Sequence, residues 1–351
     1  VIKSMLWIGV VIVGYLLFAP VSIDPLAWTP PQPNPAFAAE NEQLHAIEWL
    51  ARGNGQGPEG IAVDAQGRLY AGYDDGRVMR FDGNGAHAEL LANTGGRPLG
   101  ITVLGDDSIV VADALKGLLR IDSQRTLHTL ATEADGLPLG FTDDADHHGN
   151  IVYFSDASSR HGIHQLMPEV FESRAHGRLL AHDLAAGTTT TLLDDLYFAN
   201  GVAVGPDGAY VLVNETTRYR VRRYWLTGAR AGQSDVFIDN LPGMPDNISF
   251  NGQDRFWLAL YAPRPAALDA LLPHPWLRKI VFRLPAALHP APAHKARVLA
   301  VDLNGQVRAD WQDNRPSAYA PITSAVQFEN TLYFGSLSAP AIGRLPLPAQ
   351  D

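Results

Sequence analysis

A recurrence constrains this chain more than any single motif. Six times a short turn opens into an apolar, β-prone run: Pro58-Glu59-Gly60-Ile61-Ala62-Val63, Pro98-Leu99-Gly100-Ile101-Thr102-Val103, Thr142-Asp143-Asp144-Ala145-Asp146, Ala199-Asn200-Gly201-Val202-Ala203-Val204, Pro245-Asp246-Asn247-Ile248-Ser249-Phe250 and Thr323-Ser324-Ala325-Val326. Intervals of 40, 44, 57, 46 and 78 residues separate Gly60, Gly100, Asp144, Gly201, Asn247 and Ala325. Periods of about 40–50 residues with several strands per unit are the signature of β-propeller blades. Each unit also repeats internally as strand, Asp/Gly turn, strand over Val63 to Tyr70, Val103 to Val110 and Val204 to Val211. The fold expected is therefore all-β, a six-bladed β-propeller over residues 45–351. The stretch from His45 to Leu50 comes too early for the inner strand of the first blade. It is expected to pair with the last blade and close the ring, because an open ring exposes sheet edges. Two stretches, Arg160 to Ala175 and Pro263 to Leu277, exceed the repeat and read as covers over the channel, the second with a short helix from Ala266 to Leu272.

The N-terminus carries an almost uninterrupted apolar run from Met5 to Phe18, preceded by Lys3. Extended to Val21 or Ile23, it just reaches the roughly 20 residues a bilayer core needs. The reading is a transmembrane signal-anchor helix over 1–23 and a Pro-rich linker over 24–44. Lys3 on the short side puts the propeller on the non-cytoplasmic side, periplasmic or extracellular/lumenal. The competing reading is secretion after cleavage at the small-residue site Ala36-Phe37-Ala38. That site lies far from the apolar run, beyond Pro30 to Pro35, which favours the anchor.

Composition removes several classes of function. With Lys+Arg 27 against Asp+Glu 37 and a formal charge of -10, the chain has the wrong sign for a phosphate-backbone binder, and nucleic acid is excluded as a partner. The absence of cysteine removes thiol nucleophiles, thiolate metal sites and disulfides together. No Gly-x-Ser-x-Gly elbow or His-Glu-x-x-His helix is present.

In a propeller the inner strands line one channel, so equivalent positions meet around its axis. One column of the repeat reads Glu59, Leu99, Asp143, Asn200, Asp246, Ser324, with a side-chain oxygen at five of the six. Three converging carboxylates with no basic partner at matching positions repel one another at low dielectric. A cation resolves the repulsion, and an all-oxygen set favours a hard ion, calcium ahead of zinc or other divalent ions. Taken one at a time, each Asp or Asn also fits a turn residue that bonds its own backbone. Asn247 and Ser324, with His161 and His164 of the blade-three cover, are candidate substrate contacts; for the two histidines surface placement is the competing reading.

Further segments carry a family likeness: Gly57-Pro58-Glu59-Gly60, Ile151 to Arg160, Phe198 to Ala203, Asn214 to Arg220, Leu241 to Asn247 and Phe256 to Arg264. With these the chain resembles the six-bladed calcium propellers that include gluconolactonases, paraoxonases, diisopropyl fluorophosphatase and, nearest, the strictosidine synthase-like branch. The resemblance implies metal ligands at Glu59, Asn200 and Asp246, with Asp143 standing where many relatives have Asn. It also argues against two chemistries. Thr323-Ser324 occupies the place of the catalytic Glu of true strictosidine synthases, and no histidine lies near Ala112-Asp113-Ala114 to build a paraoxonase-like pair. The expected function is a membrane-anchored, calcium-dependent hydrolase of lactones or simple and aryl esters. Asp246 or Asp143 would be general base or nucleophile, and the two covers would supply apolar walls around a small-molecule ester or lactone. The alternative is a membrane-tethered binding propeller in which calcium only braces the ring.

Overall fold

The computed structural model describes residues 2–347. Six four-stranded antiparallel sheets follow one another along the chain, with inner strands at Ile61–Val63, Pro98–Val103, Thr142–His148, Ala199–Val204, Gly243–Phe250 and Ser324–Phe328. The first five sheets each use four successive strands. The sixth takes three from the C-terminal end and its outermost from Glu48–Leu50, which pairs antiparallel with Ile342 to Arg344. This is the ring closure expected from His45 to Leu50.

Strand alternation explains why the middle strands are apolar over most of their length. Successive side chains point to opposite faces, and each blade is covered on both faces by its neighbours, so Ile109–Asp113 and Leu69–Gly72 are buried throughout. Tyr70 and Val78 of the first blade pack with Ile109 and Val111 of the second. Val110 and Leu118 on the other face of the second meet Val152, Phe154 and Leu180 of the third. Each fully buried Leu, Ile, Val or Phe contributes about 1.5–3 kcal/mol relative to exposure, and inter-blade seams therefore carry the stability of the ring.

Four inner strands share a defect at the recurring turn. Pairing shifts by one residue between Pro98 and Ile101, Thr142 and Ala145, Ala199 and Val202, and Pro245 and Ile248. At each place two residues oppose one: Leu99-Gly100, Asp143-Asp144, Asn200-Gly201 and Asp246-Asn247. A β-bulge kinks the strand and re-aims a side chain, which is how adjacent residues such as Asp246 and Asn247 both come to lie inside.

Both predicted covers are present. The blade-three cover holds a 3-10 turn over Ile163–Gln165 and, after the apolar N-terminal helix α1 (Ile2–Phe18), the helix α2 (Leu166–Glu172). The blade-five cover carries α3 (Ala266–Leu271), where the short helix is expected, and a second helix, α4 (Pro275–Phe282). Arg278 of α4 is fully buried and knits the covers together: its Nη1 donates to the carbonyls of Phe171 (2.7 Å) and Glu172 (3.2 Å), its Nη2 to those of Leu272 (3.0 Å) and Leu26. Carbonyls at the end of α2 have no partner within the helix, and Arg278 satisfies them.

A membrane-spanning helix is not shown for the N-terminal segment. α1 is 17 residues long, about 26 Å at the usual rise, and among the described residues no helix is long and apolar enough to cross a membrane. Pro20 lacks an N–H and disfavours helical backbone before it, while Arg283 caps the helix end at the carbonyls of Leu16 (2.9 Å) and Ala19 (2.7 Å). Ile23, reckoned as the end of the span, is buried. The Pro-rich stretch beyond is extended and docked: Leu26 N–H donates to Glu172 O (3.0 Å), Trp28 N–H to Leu272 O (3.1 Å), and Arg264 Nη2 to Pro31 O (2.7 Å).

Candidate functional site

The turn before the first inner strand brings Glu59, and three of the bulges bring Asp143, Asn200 and Asp246, all buried, to the floor of one cavity of about 260 Å³. Its walls are apolar. Phe141, Phe198 and Met244, each two residues before a floor residue, form a collar above it, and Leu166, Met167, Val170 and Phe171 from the blade-three cover and Leu268 from the blade-five cover roof it. The covers thus supply the apolar wall assigned to them from sequence.

The floor is rich in oxygen atoms with nothing to bond. Oε1 of Glu59 accepts from Asn247 Nδ2 at 2.7 Å. Among the described residues, Glu59 Oε2, Asn200 Oδ1 and Asn247 Oδ1 are buried without any hydrogen-bond partner. Each such group costs about 1–3 kcal/mol. Burial pushes the Glu59 carboxyl up to about 7, against the opposing pull of Arg97, Asn247 and Thr323. Burial, then the neighbouring Glu59, raises both Asp143 and Asp246 well above the usual carboxylate range; Asp144 and Asp156 add to the first and Asp143 to the second. Oxygen donors that are buried, partly charged and unpaired are the set a hard cation requires, so these residues fit calcium.

Other side chains hold the floor in place. Asn214 Nδ2 donates to the Asp246 carbonyl, and Thr216 Oγ1 to that of Pro245 at 2.7 Å, which fixes the fifth bulge. Asp144 Oδ2 accepts from Val202 N at 2.9 Å and latches the third blade to the fourth. Thr323 Oγ1 (3.0 Å) and Ser324 Oγ (2.7 Å) both donate to the Glu59 carbonyl. Ser324 therefore ties the last blade to the first, and it lines the opposite half of the channel with Asn247, away from the apolar cavity. His161 and His164 are not among the residues lining that cavity; His161 is buried behind the blade-three cover and His164 is exposed.

One floor-side residue escaped the sequence reading. Arg97 is buried within electrostatic reach of Glu59, Asp74, Asp113 and Asp143; burial draws its guanidinium down and these carboxylates oppose the shift. Its backbone N–H donates to Asp113 Oδ1 at 3.0 Å. No basic residue stands at a matching position, but Arg97, two residues before the column, puts one cation within reach of Glu59 and Asp143. A signal existed, since positions two before the floor column read Gly57, Arg97, Phe141, Phe198, Met244 and Ile322, and Arg97 is the one charge among them.

Comparison with known proteins follows the same lines. Residues 143–229 match the family model described as strictosidine synthase, and residues 37–81 match strictosidine synthase-like, N-terminal. Strictosidine synthase-like 4 of Arabidopsis thaliana is 36% identical over 346 residues, covering 95% of this chain and 89% of the relative. The adipocyte plasma membrane-associated protein of Homo sapiens is 31% identical over 360 residues, covering 95% and 86%. Among solved structures, a gluconolactonase from Xanthomonas campestris superposes with a TM-score of 0.61 at 18% identity, covering 94% of this chain and 97% of the other. Regucalcin, a calcium-binding protein from Agrobacterium tumefaciens, gives 0.58 at 15%, covering 86% and 91%. At such identities these two likenesses speak for the propeller fold.

Proposed function

The chain belongs to the strictosidine synthase-like family, and we propose that within it this protein is a calcium-dependent hydrolase of lactones or simple and aryl esters. The observation that carries the proposal is the pair of unpaired oxygens of Glu59 and Asn200, with the carboxylates of Asp143 and Asp246, at the floor of an apolar cavity. Glu59, Asn200, Asp246 and Asp143 would hold the ion. When bound, it would supply a fixed positive charge that polarises a carbonyl and stabilises a developing oxyanion.

The chain's own groups do the rest. Apolar walls from Phe141, Phe198, Met244 and the covers bind the acyl or alcohol part and exclude bulk water, which strengthens every electrostatic interaction on the floor. A carboxylate oxygen of Asp246 or Asp143 takes the proton of a water as its oxygen bonds to the acyl carbon. The bond to the alkoxide then breaks and the same carboxyl returns the proton to it. No glutamate stands at the sixth blade start, where Thr323 and Ser324 are engaged with the Glu59 carbonyl, and amine–aldehyde condensation is not proposed. Hydrolysis of a panel of lactones and aryl esters by the full chain tests this reading: it should fall to background on calcium chelation, return on calcium addition, and be lost in a folded Asp246→Asn variant. Turnover indifferent to chelation would refute it.

A binding role is the second reading, favoured by the Thr323 and Ser324 bonds that make Glu59 a brace between first and last blades. It expects Asp246→Asn to lower thermal stability with no turnover to lose. For location, the exposed apolar surface of α1, including Trp7 at 70% and Val11 at 67% exposure, supports a membrane tether. The human relative's name, plasma membrane-associated, accords with that.

A further inference from the structure

Behind the blade-three cover lies a second cluster that the hydrolytic reading does not use. On α2, Leu166, Met167, Val170 and Phe171 face the cavity, while Glu169 and Glu172, one turn apart, project from the opposite side. There they meet His161, at the start of the cover, and His176, at its end. His161 is 5% exposed, Glu169 1% and Glu172 0%. We propose that His161, Glu169, Glu172 and His176 form a binding site for a zinc-like divalent ion that pins the cover over the cavity.

Three observations carry this. First, four ligand atoms of the cluster have no hydrogen-bond partner among the described residues, the hydrogen bond between its members being that of His176 Nδ1 with Glu169 Oε2 at 3.4 Å. His161 Nε2 lies 3.2 Å from Glu172 Oε2, yet the geometry makes no hydrogen bond. Both ring nitrogens of His161, with Glu169 Oε1 and Glu172 Oε2, are buried without a partner among the described residues. Buried polar groups of this kind are rare and costly.

Second, the spacing fits. Ligand atoms of His161, Glu169 and His176 all lie within 4.8 Å of one another. His176 Nδ1 is 3.4 Å from Glu169 Oε2 and 3.9 Å from Glu172 Oε2. Ligands of a tetrahedral zinc at about 2.0–2.1 Å stand about 3.3 Å apart, so the atoms of His161, Glu169 and His176 need to close by at most about 1.5 Å, with Glu172 reaching the ion from beside the two histidines.

Third, the remaining oxygens are already oriented. Ser158 Oγ donates to Glu169 Oε2 at 2.7 Å, Asp24 N–H to Glu172 Oε1 at 2.8 Å, and Arg160 Nη2 lies 3.3 Å from Glu172 Oε1. Outer partners of this sort fix ligand geometry in metal sites. Two imidazoles with carboxylates suit zinc or cobalt rather than calcium, and the burial of His161, Glu169 and Glu172 suits a structural ion rather than a catalytic one. Such an ion joins three pieces of chain, residues 158–161, α2 and 174–176, and through Asp24 the docked N-terminal segment.

The test is a cobalt(II) titration of the full chain in mild detergent, after treatment with a strong chelator. The expected result is saturation at one cobalt per chain, with the intense visible bands of a four-coordinate ion that zinc abolishes by displacement. His176→Gln should weaken binding at least about 100-fold, the upper end of what losing even an outer partner of a ligand costs. Asp246→Asn should leave it unchanged, which separates this site from the cavity floor. Zinc should also slow proteolysis between residues 160 and 176. Absence of saturable binding by the wild-type chain, a weak six-coordinate spectrum, or undiminished binding in His176→Gln would each overturn the proposal.

Discussion

Replacing Glu59 by Gln tests the electrostatics of the floor, because the expected sign is the reverse of what loss of a buried acid usually brings. Glu59 has its folded value raised from 4.5 to about 7, so without metal the folded chain binds this proton more tightly than the unfolded chain. Its contribution to stability is fully present below about pH 4.5 and is lost as pH rises through about 7, where the fold must hold a buried charge. At 1.36 kcal/mol per unit the difference is on the order of 3 kcal/mol. Gln keeps an Oε1 acceptor for Asn247 and cannot ionise. Chelated wild type and Glu59→Gln should therefore melt together near pH 5, while near pH 8 the variant should melt about 5 °C higher, from about 2.1 cal/mol/K per residue over a ring of roughly 300 residues. Calcium should invert the order by raising the wild type alone, by about 4.1 kcal/mol at a concentration 1,000 times the dissociation constant. Groups away from the floor that titrate in this window, including His182, which burial lowers, are common to both proteins and cancel in the difference, while Asp143 and Asp246 lose the repulsion of Glu59 in the variant, which adds to the difference in the same direction. Differential scanning calorimetry at several pH values, with chelator and with calcium, reads the result. A variant less stable than chelated wild type at pH 8, or a difference independent of pH, refutes the convergence of charge on Glu59.

Three further outcomes follow from the same geometry. A Cβ on Gly335 would overlap the Glu59 carbonyl and Ser324 Oγ, so Gly335→Ala should displace Glu59 and weaken calcium binding at least tenfold by isothermal titration, with the circular dichroism of the sheets retained. Met167→Ala opens the cavity roof at a half-buried position; it should raise KM for apolar esters several-fold while leaving kcat within about twofold, as expected for contacts made equally in ground and transition states. Arg278→Met leaves the carbonyls of Phe171, Glu172, Leu272 and Leu26 without their donor. It should cost about 2–4 kcal/mol, seen as a lower denaturant midpoint and faster proteolysis within the covers.

The ring itself was legible because blades repeat: the turn that begins each inner strand recurs with its hydrophobic run, and closure by His45 to Leu50 follows from the cost of a bare sheet edge. Convergence of Glu59, Asp143, Asn200 and Asp246 was legible for the same reason, since equal positions in repeats share an axis. The bulge that turns Asp246 and Asn247 inward together was not, because pairing register is a property of two strands. Arg97 was hidden in a column otherwise filled by Gly57, Phe141, Phe198, Met244 and Ile322, where a lone charge looks like an exception. The cluster of His161, Glu169, Glu172 and His176 sits in an insertion that repeats nowhere, and only the fold of the cover brings its ends together. Docking of the Pro-rich stretch was equally silent: prolines dictate extension, while Leu26 and Trp28 N–H groups pair with carbonyls some 150 and 240 residues away.

The most direct measurement is calcium binding by the full chain at pH 8, by equilibrium dialysis with metal analysis of the retained protein. The proposed function predicts one calcium per chain in the wild type, reversibly removed by chelator and absent from the folded Asp246→Asn variant. No calcium retained by the wild type, or the same amount retained by the variant, would contradict the account at its centre.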